Sequence, residues 1–204
     1  MKIVLSWIQG SGKWTQWKIL QDIHKFRIFE TGWIIRKKAK EDNELGRTIK
    51  ETIEGWNLVW IDLIKEMLID FLKTNNVENV IFDWIPRNME QKKVFDEALA
   101  WEDFKVVYLK LDKQEAINRL LGRKFCPKTW ETFSSDMNYD PKTWNKLITR
   151  ADDNEEAILN RIDVFFNETV PVIEEYKKEW KVIEINADQS IFWVTYEINN
   201  KLWL

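Results

Sequence analysis

One loop near the start of the chain decides the fold: Trp7-Ile8-Gln9-Gly10-Ser11-Gly12-Lys13-Trp14-Thr15. An apolar run, Ile3-Val4-Leu5, precedes this loop, and a helical pattern over 16–24 follows it. The order of strand, glycine loop and helix is typical of a phosphate-binding loop, G-x-x-x-x-G-K-[ST]. In such a loop small residues let backbone N–H groups turn toward a phosphate, and the helix N-terminus adds positive potential. The glycines, the lysine and the threonine fit this pattern, whereas the two tryptophans place indoles where the loop needs no side chain.

The composition limits the class of protein. The chain has 204 residues, a net charge of −3 and a single cysteine. This length is enough for one core with small insertions, and the charge gives no electrostatic footprint for nucleic acid. No apolar run reaches the roughly 18 residues that a membrane span needs, and a lone cysteine is typical of a reducing compartment. We therefore expect a cytoplasmic protein that binds neither nucleic acid nor membrane.

Two residue counts are unusual, namely 13 tryptophans and only 6 glycines. Glycine averages about 7% of protein residues, which is more than twice its share in this chain. Several tryptophans lie in turn contexts that normally need glycine, such as Gly55-Trp56-Asn57 and Asp83-Trp84-Ile85-Pro86. We hypothesise that many Trp letters stand for glycine, because some genetic codes read the codon UGA as tryptophan and others read it as glycine. The gene tests this hypothesis, since UGG codons at these positions exclude it.

Hydrophobic periodicity predicts five strands that alternate with helices. The predicted strands cover 1–7, 26–29, 80–83, 105–111 and 182–185. The predicted helices cover 13–24, 31–40, 44–55, 61–72, 89–99, 113–121, 152–176 and 190–202, and the seventh is interrupted or bent near Pro171. The turn-rich segment 125–148 lacks apolar periodicity and is interpreted as an inserted lobe. This alternation predicts an α/β fold with a parallel sheet covered on both faces, and a ligand site at the carboxyl ends of the strands.

The chain resembles the adenylate kinases from end to end. Its glycine loop is similar to the family motif G-x-P-G-x-G-K-G-T, and Asp83-Trp84-Ile85-Pro86-Arg87 with Gln91 is similar to D-G-[FI]-P-R-x3-Q. The other matching segments are 31–36 for T-G-D-x-[LI]-R, 56–59 for G-x-L-V, 119–123 for R-x2-G-R, and 150–156 with Arg161 for R-x-D-D-x-E-E. Seven of the tryptophans fall where the family usually has glycine, which supports the glycine hypothesis. These are Trp7, Trp14, Trp56, Trp84, Trp130, Trp144 and Trp180.

The resemblance implies both an architecture and a reaction. The architecture is a P-loop kinase fold with a core of 1–29, 60–121 and 154–204, an NMP-binding lobe of 30–59 and a lid of 122–153. The reaction is reversible phosphoryl transfer from Mg-ATP to AMP, giving two ADP, carried out by a monomer. Two alternatives stay open. One is a kinase for another nucleoside monophosphate, and the other is a non-catalytic homologue if the tryptophans are real.

The resemblance also assigns site residues. Arginine suits phosphoryl transfer because its planar fork grips phosphate oxygens in pairs, and six of the eight arginines coincide with phosphate-contacting positions of the family. The implied catalytic residues are Lys13, Arg87, Arg123, Arg150 and Arg161. The implied ATP-binding residues are Gly10, Ser11, Gly12, Lys13, Trp14, Thr15, Arg119, Arg123, Thr132, Phe133 and Gln189. The implied AMP-binding residues are Thr31, Arg36, Asn57, Leu58, Val59, Trp84, Ile85, Pro86, Arg87, Gln91, Arg150 and Arg161.

Two metal expectations follow from the same resemblance. Mg²⁺ is expected near Thr15 and Asp83 through water, because this ion usually keeps several waters and substrate phosphates as ligands. Many lids of the family hold zinc at four positions, which here are Cys126, Thr129, Asp140 and Thr143. One thiol, one carboxylate and two hydroxyls are too few and too hard for a structural zinc site. We therefore expect a hydrogen-bonded lid without zinc, and stoichiometric zinc in protein purified without added metal would contradict this.

Overall fold

The computed structural model describes residues 1–54, 61–75, 78–100, 102–129, 131–133, 135–150 and 153–204. A parallel sheet of five strands in the order β2-β3-β1-β4-β7 confirms the predicted α/β fold. A two-stranded antiparallel ribbon, β5 with β6, lies within the inserted segment. The strands are β1 (Lys2–Trp7), β2 (Arg27–Glu30), β3 (Val80–Asp83), β4 (Phe104–Lys110), β5 (Lys124–Phe125), β6 (Thr132–Phe133) and β7 (Val182–Asn186).

The helices agree with the predicted ones except in one place. They are α1 (Lys13–His24), α2 (Thr31–Lys38), α3 (Glu44–Glu54), α4 (Ile61–Asn75), α5 (Met89–Ala98), α6 (Lys113–Leu121), α7 (Glu155–Val164), α8 (Val170–Lys178) and α9 (Ile191–Leu202). The helix predicted over 152–176, with an interruption or bend near Pro171, is two helices, α7 and α8, joined by a π-helical turn at Phe165–Thr169, just before that proline. Pro171 lies in the first turn of α8, directly after the π-helical turn, and its missing N–H interrupts the regular helical hydrogen bonds there.

The two faces of the sheet carry separate apolar clusters. Along β1 the side chains alternate, since Ile3 and Leu5 pack in one cluster and Val4 packs in the other. Helices α1, α6, α7 and α9 contribute to the first cluster, α3, α4 and α5 contribute to the second, and α8 contributes to both. Because β1 is central and buried on both faces, the loop that follows it emerges at the middle of the carboxyl edge of the sheet.

A partly buried polar network ties α5 to the end of α8. The Tyr176 hydroxyl donates a hydrogen bond to Asp96 at 2.8 Å, and Lys92 contacts Asp96 and Glu179 at 2.7 Å each. The Tyr176 ring packs edge-on against Phe104. Burial is the first cause that raises the pKa of Tyr176, so its hydroxyl remains protonated and acts as the donor.

Replacing Tyr176 by phenylalanine is expected to lower the free energy of unfolding by about 1–2 kcal/mol, because a hydrogen bond to a charged acceptor is lost. Thermal unfolding should show a midpoint lower by roughly 3–6 °C. Tyr196→Phe is the matched control, since Tyr196 is exposed on α9. Equal midpoints for the two variants would contradict this assignment.

The inserted segment contacts the core through an ion pair. Glu131 lies 3.0 Å from Lys18 on α1, and the hydrogen bond from Lys18 is the main cause that lowers the pKa of Glu131. Phe125 and Ile148 form an antiparallel bridge that closes the base of the segment.

None of the helices in the described ranges has the length and the apolar character that crossing a membrane requires.

Candidate active site

The glycine loop has the backbone that phosphate binding needs. Gly10 and Gly12 have φ values of 89° and 81°, in the left-handed region that favours glycine. A Cβ at position 10 would lie 3.1 Å from the Ala116 carbonyl oxygen, so the loop also packs closely on α6. Gly12 caps α1 without any side-chain hydrogen bond, which leaves backbone N–H groups of the first turn for an anion. The Ser11 hydroxyl is buried in the loop without a hydrogen-bond partner among the described residues.

Lys13 and Asp83 form an ion pair at the carboxyl edge of the sheet. The Lys13 ammonium lies 2.8 Å from Asp83 Oδ2, and the Asp83 side chain is 2% exposed. Parallel pairing of β1 with β3 brings the two residues together, since Asp83 ends β3 and Lys13 begins the helix after β1. The Trp7 indole N–H donates to Asp83 Oδ1 at 3.2 Å, so both carboxylate oxygens have partners.

Two indole rings lie between the cationic groups of the site. The rings of Trp7 and Trp84 are stacked with centroids 6.1 Å apart. The Lys13 ammonium lies 4.4 Å from the centroid of Trp7, and the Arg87 guanidinium lies 4.4 Å from that of Trp84. Both rings line a cavity next to Arg87 with a volume of about 10 Å³, which holds about one water molecule. The indoles therefore occupy the space between the loop lysine and Arg87.

Among the residues predicted to bind AMP, those from Trp84 to Arg87 line this cavity, and others form hydrogen bonds within the protein. Thr31 donates to the Asp83 carbonyl oxygen at 3.2 Å, and Gln91 Oε1 accepts from the Arg87 N–H at 2.8 Å. Burial lowers the pKa of Arg87 from its ordinary value. Ile85 and Pro86 line the cavity. Asn57, Leu58 and Val59 lie outside the described residues.

Glu30 is a carboxylate that this site disfavours in its charged form. Burial is the main cause that raises the pKa of Glu30, followed by repulsion from Asp83, although Lys13 and Arg36 oppose the shift. Arg36, another predicted phosphate ligand, lies 3.2 Å from Glu30 Oε1. Glu30 therefore pairs with Arg36, but its carboxylate becomes protonated at a higher pH than that of an ordinary glutamate.

Glu30→Gln is expected to raise the free energy of unfolding at pH 7. A carboxyl with a raised pKa costs stability above that pKa, and the cost fades as pH falls toward its unfolded value of 4.5. The difference between Glu30→Gln and the parent should therefore shrink between pH 7 and pH 4. Urea unfolding at several pH values measures this, and a difference that grows with acidity would contradict the assignment. Glu41→Gln, an exposed change outside the site, is the control.

Besides the glycine loop and the start of α1, the residues predicted to bind ATP lie in α6, just after α6, in β6 and in the segment after β7. Arg119 donates to Glu115, to the Ala187 carbonyl and to Asp188, at 2.6, 3.0 and 2.8 Å. Gln189 directly follows Asp188 in the segment after β7 and donates to Glu197 at 2.8 Å. In β6, Thr132 is exposed and Phe133 is half-buried. Trp14 and Thr15 lie in the first turn of α1, and the Trp14 ring packs edge-on against Trp17.

Three of the predicted catalytic arginines lie near the base of the inserted segment. Arg123 and Arg161 both contact Asp153, and Asp153 donates its backbone N–H to the Arg150 carbonyl at 3.1 Å. Sequence reasoning assigned no role to Asp153. The only signal was its place in the Arg150–Glu156 motif, which does not reveal that one carboxylate contacts two distant arginines.

Tryptophans occupy most of the left-handed positions that are not glycine. Among the described residues, five non-glycine residues have positive φ, and four of them are Trp84, Trp144, Trp180 and Trp203. An L-residue with a Cβ pays roughly 1–2 kcal/mol in this region, whereas glycine adopts it freely. Trp180 and Trp203 are 90% and 93% exposed, so little packing offsets that cost. Trp203 is not among the seven tryptophans that the resemblance places at family glycines, yet its φ of 59° also favours glycine.

Comparison of the sequence with known proteins shows the family to which the chain belongs. A family model described as adenylate kinase matches residues 7–181. The chain belongs to the adenylate kinase family. An adenylate kinase of Onion yellows phytoplasma (strain OY-M) is 34% identical over 206 residues, covering 96% of this chain and 94% of the relative. The adenylate kinase of Chloroherpeton thalassium is 33% identical, with 99% and 98% covered, and that of Alkaliphilus oremlandii is 32% identical, with 94% and 93% covered.

The adenylate kinase family uses Mg-ATP, and the residues present fit that ion. Asp83 and Thr15 offer carboxylate and hydroxyl oxygens, which are the hard ligands that Mg²⁺ prefers. Both stand at the carboxyl edge of the sheet next to Lys13. A single carboxylate agrees with a cation whose other ligands are water and substrate phosphates.

The four lid positions do not fit zinc. Thr143 donates to Asp140 Oδ2, the Lys142 N–H donates to Asp140 Oδ1 at 2.9 Å, and a hydrogen bond from Thr129 lowers the pKa of Cys126. The four side chains are thus engaged in hydrogen bonds with one another or with the backbone. A structural zinc site would need more thiolate or imidazole ligands than they supply. In the described ranges no group of three or more His, Cys, Asp and Glu side chains is arranged to hold a metal.

Proposed function

We propose how this chain carries out the reaction of its family, the reversible transfer of a phosphoryl group from ATP to AMP that gives two ADP. The observation that carries the proposal is the arrangement of Lys13 and Arg87. Each of these two cations lies 4.4 Å from one ring of the stacked indole pair, so the pair fills the space between them at the carboxyl edge of the sheet. A donor phosphate on the loop and an acceptor phosphate on Arg87 would meet in that space.

In this proposal the glycine loop holds the donor. Gly10, Ser11 and Gly12 turn backbone N–H groups toward the phosphates of ATP, and Lys13 leaves Asp83 to follow the transferring phosphoryl group. Thr15 and Asp83 hold Mg²⁺ through water, and the ion when bound neutralises phosphate charge. Arg119, Thr132, Phe133 and Gln189 surround the adenosine of ATP.

The acceptor occupies the other side of the same edge. Arg36 and Arg87 hold the phosphate of AMP, while Thr31, Gln91 and the segment 57–59 recognise its base and ribose. Arg36 exchanges Glu30 for the phosphate, which is the stronger, doubly charged partner. Arg123, Arg150 and Arg161 stabilise the charge that develops on the transferring group.

Catalysis in this proposal needs two mobile parts. The segments 30–59 and 122–153 act as the NMP-binding lobe and the lid around the core of 1–29, 60–121 and 154–204. Their closure excludes water, which would otherwise accept the phosphoryl group. We further propose that the protein works as a monomer in the cytoplasm.

The proposal includes glycine at the positions where indoles obstruct the site. Positive φ at Trp84, Trp144, Trp180 and Trp203 supports glycine there. Trp7 and Trp14 have no positive φ. The support at Trp7 is its ring against the Lys13 ammonium, and the support at Trp14 is the glycine that the family motif has at that position. We call the variant with Trp7→Gly, Trp14→Gly and Trp84→Gly the glycine form.

A coupled assay of the glycine form with ATP and each of AMP, CMP, UMP and GMP tests the proposal. We expect kcat/KM for AMP to exceed that for the other acceptors by at least about 100-fold, because unpaired polar groups penalise a wrong base. A preference for CMP or UMP would favour a different nucleoside monophosphate kinase. If none of the four acceptors is phosphorylated, the result would favour a non-catalytic homologue.

A further inference from the structure

One polar side chain of the glycine loop is buried without a partner. Gln9 is 9% exposed, and its buried Oε1 has no hydrogen-bond partner among the described residues. A buried acceptor of this kind lowers stability, so its presence needs an explanation other than support of the fold. The family motif has proline at this position of the loop, which makes the carboxamide a feature of this chain.

The cavity that Gln9 lines also presents a hydrogen-bond donor. The Arg87 guanidinium lines the same cavity, and in the part of the chain that the structure describes it contacts the Trp84 ring and forms no hydrogen bond. Burial lowers the pKa of Arg87, and attraction to Glu168 opposes this shift. Thr169 donates to the Arg87 carbonyl oxygen at 3.0 Å, so the main chain of Arg87 is fixed while its guanidinium remains available to a ligand.

This cavity joins the donor side of the proposed site to the acceptor side. Its lining includes Trp7 and Gln9 from the glycine loop and the segment from Trp84 to Arg87. Parallel pairing of β1 with β3 places these two turns side by side. A phosphoryl group that moves from a nucleotide on the loop to a nucleotide on Arg87 would therefore pass the Gln9 carboxamide.

A glutamine side chain suits such a position because its end both donates and accepts. The carboxamide carries two N–H donors on Nε2 and one acceptor oxygen. The last torsion of glutamine is broad and roughly two-fold, so turning the amide from Oε1 to Nε2 costs little. The oxygens of an ionised phosphoryl group only accept, so they would take the Nε2 end. A fixed donor aimed at charge that develops in the transition state is a strong source of catalysis.

We infer that Gln9 is a further catalytic residue for phosphoryl transfer, and that its amide N–H groups donate to the phosphoryl group as it moves between the loop and Arg87. This inference rests on the proposed function. In the transfer, a phosphate oxygen of AMP forms a bond to the γ-phosphorus, and the bond from that phosphorus to the β,γ-bridging oxygen breaks with its electron pair leaving on ADP. Gln9 forms no covalent bond and moves no proton.

The kinetic test compares Gln9→Leu and Gln9→Glu with the parent glycine form. Leucine keeps the volume and removes the donors, so we expect kcat to fall about 100-fold, as when one oxyanion donor is lost. Glutamate keeps the shape but brings a negative charge to the phosphates, so kcat should fall further, by at least about 1000-fold. With Gln9→Leu the KM values for ATP and AMP should change less than about threefold, because the lost contact belongs to the transition state.

A binding measurement adds a readout that does not depend on turnover. A bisubstrate dinucleotide with five phosphates places its phosphate chain across both sides of the site. Calorimetry should show that Gln9→Leu lowers the affinity of the glycine form for this dinucleotide at least about tenfold.

Thermal unfolding separates catalysis from support of the fold. In the unchanged chain, Gln9→Leu removes an unpartnered acceptor, so the midpoint should stay the same or rise by up to roughly 4 °C. Gln16→Leu is the matched control on α1, because this buried carboxamide donates to the Ile191 carbonyl at 3.2 Å and accepts from Thr195 at 2.9 Å. Its midpoint should fall by at least roughly 3 °C. Gln114→Leu, an exposed change on α6, is the control for kcat and should leave it unchanged.

Each outcome decides between the two proposals. A kcat for Gln9→Leu within threefold of the parent, or a midpoint that falls as it does for Gln16→Leu, would overturn the role of Gln9 and leave the proposed function intact. A glycine form that binds the dinucleotide without forming ADP from ATP and AMP would overturn the proposed function, and the calorimetric comparison would then decide whether Gln9 contacts phosphate. A glycine form that neither turns over nor binds would overturn both.

Discussion

The glycine form is expected to produce ADP from ATP and AMP at least about 100-fold faster than the tryptophan form, because misplacement of reacting groups by about 1 Å already costs that much. Trp7 lies against the Lys13 ammonium and donates to Asp83, and Trp84 lies against Arg87. The three charged groups that the proposed mechanism needs are thus in contact with rings where phosphates would lie.

A coupled assay with ATP and AMP measures the rate, and calorimetry with the bisubstrate dinucleotide measures whether the space has opened. Trp180→Gly and Trp203→Gly are matched controls with the same chemical change on exposed surface. These two changes relieve positive φ and should each stabilise the fold by about 1 kcal/mol without changing the rate.

Two observations would contradict the glycine hypothesis. One is a glycine form no faster than the tryptophan form, and the other is UGG at the corresponding codons. Sequencing of peptides from the protein made in its own cells decides the matter directly, because the residues differ greatly in mass.

Lys13→Met in the glycine form is expected to lower kcat by about 1000-fold. Phosphoryl transfer depends on groups that neutralise the moving charge, and single groups of this kind contribute 10²–10⁵. Lys13 is the one cation placed on the loop itself, at the start of α1. Steady-state kinetics with both nucleotides measures the loss, and retention of more than a tenth of kcat would contradict the role of Lys13.

Stability must be measured alongside this variant. Removing Lys13 leaves the buried Asp83 without its cation, which costs about 3–5 kcal/mol in comparable pairs. Adding Asp83→Asn should recover stability but not kcat. Lys2→Met is the control, since Lys2 stands at the other end of β1, is 13% exposed and pairs with Glu102 at 2.8 Å.

Local patterns predicted the elements well because each has a local cause. The apolar run before the loop predicts a buried strand, and β1 is observed at Lys2–Trp7. The strand predicted at 26–29 is observed one residue later, because Phe26 is buried before the strand and pairing with β3 begins at Arg27. The π-helical turn at Phe165–Thr169 was not predicted, since one extra residue in a helical turn leaves the apolar period almost unchanged.

Contacts across the chain could not be predicted in the same way. Thirty residues separate Arg123 from Asp153, and their bidentate bond depends on how α6 and α7 pack. The stacking of Trp7 on Trp84 depends on the parallel pairing of β1 with β3, because that pairing places both ring-bearing turns at one edge. Neither contact produces a periodicity or a fixed residue spacing from which it could be predicted in the sequence.

By itself the sequence determined the order of strands and helices, the phosphate-binding loop and the family to which the chain belongs. These depend on residues close together in the chain, where periodicity and backbone preference act. Only the tertiary structure decided that Asp153 holds two arginines, that both Asp83 oxygens are engaged, and that four tryptophans adopt a backbone that favours glycine. These depend on the packing of segments distant in sequence and on the three-dimensional course of the backbone.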